Sequence, residues 1–174
     1  MSTEPVAIVV MGVTGCGKTL IAKRLARALN ASFIEGDRLH SSANIETMRS
    51  GIPLRDEDRA AWLDAIGQLM KAERGQGRAV VAACSALKHN YRDRLRSFVP
   101  DLSFLFLDLD QSAAERRVAA RRNHFMPASL VASQFEALER PDSSERAIAV
   151  SATTSPRGIV AKALAYFAPP NAIK

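Results

Sequence analysis

The sequence predicts an α/β fold in which a five-stranded parallel sheet carries helices on both faces. Short apolar runs alternate with segments of helical periodicity along the whole chain, which is the pattern of parallel βαβ units. The first apolar run leads into a glycine-rich loop and then into a helix, as in many sheets of this class. With 174 residues and no linker, the chain has the length of one domain, so we expect residues 1–174 to form a single domain.

Each strand is predicted from a short apolar run bounded by turn residues. The five strands are expected at residues 6–11, 32–35, 78–84, 103–109 and 147–151. Apolar residues three or four positions apart predict the helices between them. Ser112 and Glu115 have the spacing of a capping box that opens one helix, and Pro127 has the place of a first helical residue in the helix that carries Gln134.

Residues 12–19 read G-V-T-G-C-G-K-T and match the phosphate-binding loop pattern G-x-x-x-x-G-K-[ST] at every fixed position. The glycines let the backbone wrap a polyphosphate, Lys18 reaches the β- and γ-phosphates, and the Thr19 hydroxyl joins the coordination of Mg²⁺. The helix that follows directs its N-terminal N–H groups at anions. The alternative is a glycine-rich turn with an exposed lysine. We predict that a nucleoside triphosphate is bound by Gly12, Val13, Thr14, Gly15, Cys16, Gly17, Lys18 and Thr19.

Acidic residues follow the second predicted strand, at the edge of the sheet where ligands bind in this fold class. Asp37 can orient the hydroxyl of a phosphoryl acceptor and accept its proton. Glu35 can hold a water bound to Mg²⁺, and His40 can form a hydrogen bond with an acceptor. Structural alternatives stay open, because Asp37 can cap the next segment and His40 can be an ordinary core or surface histidine.

Two pairs of basic residues, each four positions apart, offer further ligands for anions. Lys88 and Arg92 follow the third strand and can clamp an anionic group. Arg117 and Arg121 lie on a helix that leads to a segment suited to be a mobile lid, which would exclude water and neutralise charge in a transition state. Spacing alone does not separate either pair from exposed charges on an amphipathic helix.

Composition and charge narrow the class of protein. A net charge of +6 fits a protein that binds anionic substrates or nucleic acid. A platform that stacks nucleic-acid bases needs aromatic residues among its arginines, and none interleave with the arginines within 92–96 and 116–122. We therefore expect no nucleic-acid partner. No apolar stretch approaches the roughly 20 residues of a membrane span, and no secretory signal is visible, so we expect no membrane partner. Cys16 and Cys84 suit a reducing cytoplasm, and the three histidines lack the spacing of a zinc site.

Several further segments resemble one family, the gluconate kinases (gluconokinases) of the small P-loop type. They are G-D-R-L-H at 36–40, N-I-E-x-M-x-x-G-x-P-L at 44–54, D-x-D-R-x-x-W-L at 56–63, C-S-A-L-K-x-x-Y-R-D-x-L-R at 84–96, R-x-x-H-F-M at 121–126 and S-Q-F-x-x-L-E-x-P at 133–141. They follow in order from the phosphate loop to about Pro141. The Cys-Ser-Ala-Leu-Lys and His-Phe-Met blocks are specific to this family, whereas Glu35 stands where the family usually has aspartate.

The resemblance implies a nucleoside-monophosphate-kinase-like fold and the Mg²⁺-assisted phosphorylation of D-gluconate by ATP at its 6-hydroxyl, giving 6-phosphogluconate. It implies that Asp37 lies on the substrate side and that Arg121 belongs to the lid. The candidate catalytic residues are Lys18, Asp37 and Arg121. The candidate substrate-binding residues are Asp37, His40, Arg59, Lys88 and Arg92. The candidate metal ligands are Thr19 and Glu35, and Arg117 and Arg121 complete the nucleotide-binding set.

The resemblance also divides the chain into working parts. We expect a substrate-side helical insert at about 38–60 and the lid at 117–130. Members of the family are often dimers, so a homodimer is a further expectation, although no sequence feature marks an interface. Two other functions stay open: another small-acid P-loop kinase of the shikimate-kinase type, and, from a different class, an ATP-dependent regulatory or RNA-binding module.

Overall fold

The computed structural model describes residues 5–120 and 127–167, and its centre is a five-stranded sheet in the order β2-β3-β1-β4-β5. Every neighbouring pair is parallel, which confirms the predicted fold class. The strands are β1 Ala7–Met11, β2 Ser32–Glu35, β3 Val80–Ala83, β4 Ser103–Asp108 and β5 Ala147–Ser151. The chain builds one side of the sheet with β2 and β3 and the other side with β4 and β5. The switch point, where ligands bind in such sheets, therefore lies at the carboxyl end of β1.

The described residues form seven helices, which cover both faces of the sheet. They are α1 Lys18–Ala28, α2 Ser42–Arg49, α3 Asp56–Gly75, α4 His89–Arg96, α5 Gln111–Ala119, α6 Leu130–Ala137 and α7 Pro156–Phe167. Successive side chains of a strand point to opposite faces. Accordingly, Ile8 and Val10 of β1 pack in the core that contains α1 and α7, and Val9 and Met11 pack against α3 and α4. None of these helices is both long and apolar enough to cross a bilayer.

Two helix starts differ from the sequence prediction. α5 is capped by Asp110, whose Oδ1 accepts a hydrogen bond from the Ala113 N–H at 2.8 Å, and the Ser112 hydroxyl donates to the same carboxylate. The predicted capping box is therefore wrong, because an aspartate two residues earlier is the N-cap and already accepts a hydrogen bond from the Ala113 N–H. α6 begins at Leu130 and not at Pro127. Pro127 instead belongs to a turn before the helix, in which its carbonyl oxygen accepts a hydrogen bond from the Leu130 N–H.

The segment between β2 and α3 forms the rim of the sheet edge where β1 and β2 end. It starts with a 3₁₀ turn at Gly36–Leu39 and continues into α2. Met48 of α2 and Leu54 join Leu130 of α6 in a small apolar cluster separate from the two main cores. This cluster joins the rim of the expected substrate side to Leu130, the last residue of the expected lid.

Candidate active site

The phosphate loop has the conformation that its glycines allow. Gly12 has a φ of 139°, and a Cβ there would lie 2.9 Å from Cys16 Sγ and 2.9 Å from the Leu107 carbonyl oxygen. Gly17, with a φ of 98°, takes the left-handed region directly before α1. The Lys18 ammonium donates to the carbonyl oxygens of Gly12 and Val13, each at 3.1 Å. The loop therefore closes on itself around a cation that can bind a phosphate.

A hydroxyl and a carboxylate meet at the end of the loop. The Thr19 hydroxyl donates to Glu35 Oε2 at 2.7 Å, which joins the first turn of α1 to the end of β2. Mg²⁺ prefers oxygen ligands and is usually held by one or two protein groups together with substrate phosphates and water. Within residues 5–120 and 127–167, no group of three or more His, Cys, Asp or Glu is arranged to hold a metal. Thr19 and Glu35 thus fit a shared Mg²⁺ site rather than a protein-only one.

Predicted residues from three parts of the chain line a single cleft of about 120 Å³. Lys18 and Thr19 lie on its phosphate side, and Asp37, His40 and Arg59 lie on the side of the 3₁₀ turn and α3. The cleft brings an anion-binding loop, a carboxylate and a guanidinium together. That combination suits the transfer of a phosphoryl group to an anionic acceptor.

His40 is an uncharged wall of this cleft. Its ring stacks on Trp62 with the centroids 4.2 Å apart and the planes 13° from parallel, and the residue is only 9 % exposed. Burial lowers the pKa of His40 to about 4; the nearby Asp37 opposes this shift and Arg59 adds to it. Its Nδ1 atom is buried without a hydrogen-bond partner in the described parts of the chain.

The structure contradicts the predicted clamp formed by Lys88 and Arg92. Arg92 is fully buried, and its guanidinium donates to both carboxylate oxygens of Glu145, at 2.6 and 2.8 Å, and to the carbonyl oxygens of Ala86 and Leu87. With four of its five N–H donors used inside the protein, the buried guanidinium of Arg92 is not available to bind substrate. The spacing of four residues fits a helix face, but it does not tell which face is buried.

Lys88 lies outside the cleft in this structure. Its ammonium pairs with Asp56 at 2.7 Å, and the Tyr91 hydroxyl donates to the same carboxylate. The contact lowers the pKa of Asp56, first through the hydrogen bond from Lys88 and then through that from Tyr91. Lys88 thus holds the start of α3 against α4, and a role in substrate binding stays a prediction.

Arg117 contacts the phosphate loop from α5. Its guanidinium donates to the Gly15 carbonyl oxygen at 3.3 Å and to the Ala152 carbonyl oxygen at 3.1 Å. It also lines a second cavity of about 330 Å³ that continues from Gly17 toward the loop after β5. Arg121 and residues 122–126 of the expected lid lie outside the described residues. Of the described residues in the expected lid, Arg117 contacts the phosphate loop and Leu130 belongs to the small rim cluster.

Sequence reasoning assigned no role to three residues that shape this site. Gln134 accepts a hydrogen bond from the Thr14 N–H at 2.7 Å and so attaches α6 to the phosphate loop. Ser85 lines the cleft after β3, and Trp62 supports His40. The signal for Gln134 was present, because a polar residue on the apolar stripe of a helix is buried only when it has a partner.

Comparisons with known proteins agree with this geometry. A family model described as "AAA domain" matches residues 8–141. The thermosensitive gluconokinase of Escherichia coli (strain K12) is 45 % identical over 142 residues, which are 82 % of this chain and 76 % of that protein. The gluconokinase of Gluconobacter oxydans (strain 621H) is 42 % identical over 169 residues, covering 96 % of this chain and 94 % of that protein.

A solved structure shows the same fold over nearly the whole length. The crystal structure of a gluconokinase from Sinorhizobium meliloti 1021 superposes with a TM-score of 0.83 and 44 % sequence identity, covering 95 % of this chain and 93 % of that chain. The sheet order, the phosphate loop and the cleft are thus those of a P-loop kinase whose relatives match over most of their own length. On these grounds the chain belongs to the gluconokinase family.

Proposed function

We propose that the protein transfers the γ-phosphoryl group of ATP to the 6-hydroxyl of D-gluconate, giving 6-phospho-D-gluconate and ADP. The observation that carries the proposal is that a complete phosphate loop meets Asp37, His40 and Arg59 in one cleft. The identity of the substrate is inferred from the relatives, because proteins named gluconokinase match 82 % and 96 % of the chain.

The nucleotide lies across the two cavities that flank the loop. Its phosphates are bound by the loop N–H groups and Lys18, at the start of α1. The adenosine part occupies the second cavity, because that cavity shares Gly17 and Leu20 with the first and extends past Arg117 toward the loop after β5. Arg117 already bridges the two loops that would enclose the base.

The acceptor lies on the opposite side of the cleft, beside the 3₁₀ turn. Asp37 orients the 6-hydroxyl and accepts its proton as the phosphoryl group is transferred. Arg59 is the cationic side chain on this wall, so it binds the gluconate carboxylate. His40 offers a hydrogen bond to a hydroxyl group of the sugar chain.

The Thr19 hydroxyl would hold Mg²⁺ directly, and Glu35 would hold it through a water molecule. The ion would supply positive charge that neutralises the phosphates of ATP. Lys18 follows the γ-phosphate into the transition state. Arg121, within a lid at 117–130, completes this neutralisation when the lid closes and excludes water.

A substrate panel tests the proposal. ADP release is measured with gluconate, other aldonic acids and shikimate as acceptors, and gluconate should give the highest kcat/KM. Asp37→Asn should lower kcat/KM for gluconate by roughly 10²-fold, the scale for losing a positioned base, while MgATP binding survives. Asp101→Asn is the matched control, because Asp101 precedes β4 at the opposite edge of the sheet and pairs with Arg74.

Three results would contradict the proposal. A preference for shikimate would indicate another small-acid kinase. ATP hydrolysis that no acceptor stimulates, together with salt-dependent RNA binding, would indicate a nucleic-acid module. An unchanged kcat/KM in Asp37→Asn would remove Asp37 from the site.

The proposal extends to the domain organisation, the cellular location and the oligomeric state of the enzyme. We propose one domain with a substrate-side insert at 38–60, acting in the cytoplasm, where the buried thiols of Cys16 and Cys84 stay reduced. A homodimer without a nucleic-acid or membrane partner remains part of this proposal, and sedimentation equilibrium checks the oligomeric state.

A further inference from the structure

Trp62 is the sole tryptophan of the chain, and it contacts the segment that carries both Asp37 and His40. It lies in α3 and is only 3 % exposed, so it is part of the core. A core tryptophan usually needs only one partner for its N–H. Trp62 makes that one polar contact and also a ring contact, and both are with the five-residue segment Gly36–His40, which contributes Asp37 and His40 to the wall of the cleft.

The polar contact fixes the backbone immediately before Asp37. The Trp62 Nε1–H donates to the Gly36 carbonyl oxygen at 2.7 Å. On the other side of Gly36, a Cβ would lie 2.3 Å from the Ala83 carbonyl oxygen, so the residue is pressed against β3. Gly36 is therefore held between α3 and the sheet. Because Asp37 is the next residue, these two contacts fix the direction of the backbone at Asp37.

The ring contact fixes the plane of His40. The stacked indole covers one face of the imidazole, which leaves the edge of the ring to meet a ligand in the cleft. The charged groups that act on His40 are Asp37 from the preceding turn and Arg59 from α3. A neutral imidazole has one donor nitrogen and one acceptor nitrogen, whereas a protonated ring only donates. A hydroxyl group both donates and accepts, so it can pair with either nitrogen of the neutral ring.

We propose that Trp62 is a positioning residue that orients the Asp37 carboxylate and the His40 ring toward two hydroxyl groups of the acceptor. The inference rests on the proposed function and deepens it. Through its N–H, the indole orients the Asp37 carboxylate toward the hydroxyl that accepts the phosphoryl group. Through its face, the indole orients the edge of the His40 ring toward a second hydroxyl of the acceptor. An acceptor with a single hydroxyl beside its carboxylate satisfies only one of the two groups, which selects for a polyhydroxy acid.

In the described parts of the chain no hydrogen bond fixes the buried Nδ1 of His40, so the orientation of the ring depends on its stack against Trp62. Burial, to which the stacked indole contributes, lowers the pKa of His40 to about 4. Removing the indole would expose the ring, and the pKa should return toward the ordinary value of about 6.5.

Two variants of Trp62 separate its two contacts. Trp62→Phe keeps the ring stack and loses the N–H, so it should lower kcat for gluconate about tenfold while the pKa of His40 stays low. Trp62→Leu loses both contacts. We expect it also to raise the KM for gluconate about tenfold, and the rise should grow as pH falls through about 6. Met70→Leu is the matched control, because Met70 is buried on the same helix in the same core and the exchange nearly conserves volume.

The ring proton is measured without any turnover. In the wild type, the NMR signals of His40, assigned by their loss in His40→Gln, should not titrate between pH 8 and 5. In Trp62→Leu they should titrate with a midpoint near 6. The fluorescence of Trp62 should also change on gluconate addition, and this change should be absent on addition of lactate, an acid with a single hydroxyl group beside its carboxylate.

The outcomes decide between positioning and plain packing. If Trp62→Phe, Trp62→Leu and Met70→Leu lose activity only in proportion to their loss of thermal stability, and His40 titrates equally in all three, Trp62 is an ordinary core residue and the proposal fails. If gluconate is not phosphorylated by the wild type, the proposed function fails. The NMR titration still decides in that case whether the indole holds His40 neutral.

Discussion

Removing the buried guanidinium of Arg92 should cost stability and leave catalysis intact. Arg92 is 0 % and Glu145 2 % exposed, so Arg92→Met would leave a buried carboxylate with one partner fewer. Breaking a buried pair from one side costs roughly 3–5 kcal/mol. Arg96, which also donates to Glu145 at 3.0 Å, remains and should keep the loss near the lower end, about 3 kcal/mol. At this chain length that corresponds to a fall in Tm of roughly 6–12 °C.

The matched control lies two residues further along α4. Arg94 makes the same two-pronged contact with Asp64, at 2.6 and 2.7 Å, but its side chain is 44 % exposed. Arg94→Met should therefore change the free energy of unfolding by less than about 1 kcal/mol. Both variants are compared by urea unfolding and by kcat/KM for gluconate at 20 °C.

The pH dependence of the Arg92→Met effect has a definite sign. Burial alone would raise the pKa of Glu145, but hydrogen bonds from Arg92 and Arg96 outweigh it and lower the pKa from 4.5 to about 2. A lowered folded-state pKa contributes stability above the unfolded value, and this is lost as pH falls from about 4.5 toward 2. The gap in stability between wild type and Arg92→Met should therefore narrow below pH 4.5. A normal Tm with a raised KM for gluconate would refute this reasoning and return Arg92 to the substrate site.

Three further changes test other parts of the site. Lys18→Ala should lower kcat by about 10²–10³-fold in a folded protein, because it removes a transition-state charge; a near-normal kcat in a steady-state assay would exclude that role. Gly36→Ala places a Cβ 2.3 Å from the Ala83 carbonyl oxygen, so it should destabilise by about 1–3 kcal/mol in thermal unfolding and lower kcat/KM by displacing Asp37. Arg117→Ala should raise the KM for ATP more than that for gluconate, and equal changes would argue against an adenosine site beside Arg117.

Much of the sheet edge could be predicted because its signals are local. The spacing of Gly12, Gly17, Lys18 and Thr19 defines the loop, and the structure gives it the left-handed glycine and the folded-back lysine that the pattern requires. The alternation of strand and helix signals indicated five parallel strands, and the rule that ligands bind at carboxyl ends placed Asp37 beside the loop. Helix starts were less predictable, as Asp110 shows, because neighbouring polar residues can satisfy the same N–H groups.

The sequence by itself determined the fold class, the phosphate loop and the acidic residue that faces it, since each depends on neighbours in the chain. Only the tertiary structure decided which charged side chains are free to act. Arg92 and Lys88 share a spacing that suits an anion clamp, but Glu145, 53 residues after Arg92, buries the first, and Asp56 pairs with the second. Likewise, His40 became a buried wall of the cleft only when α3 brought Trp62 against it. Burial and pairing arise from segments distant in sequence, and no local pattern encodes which of them will meet.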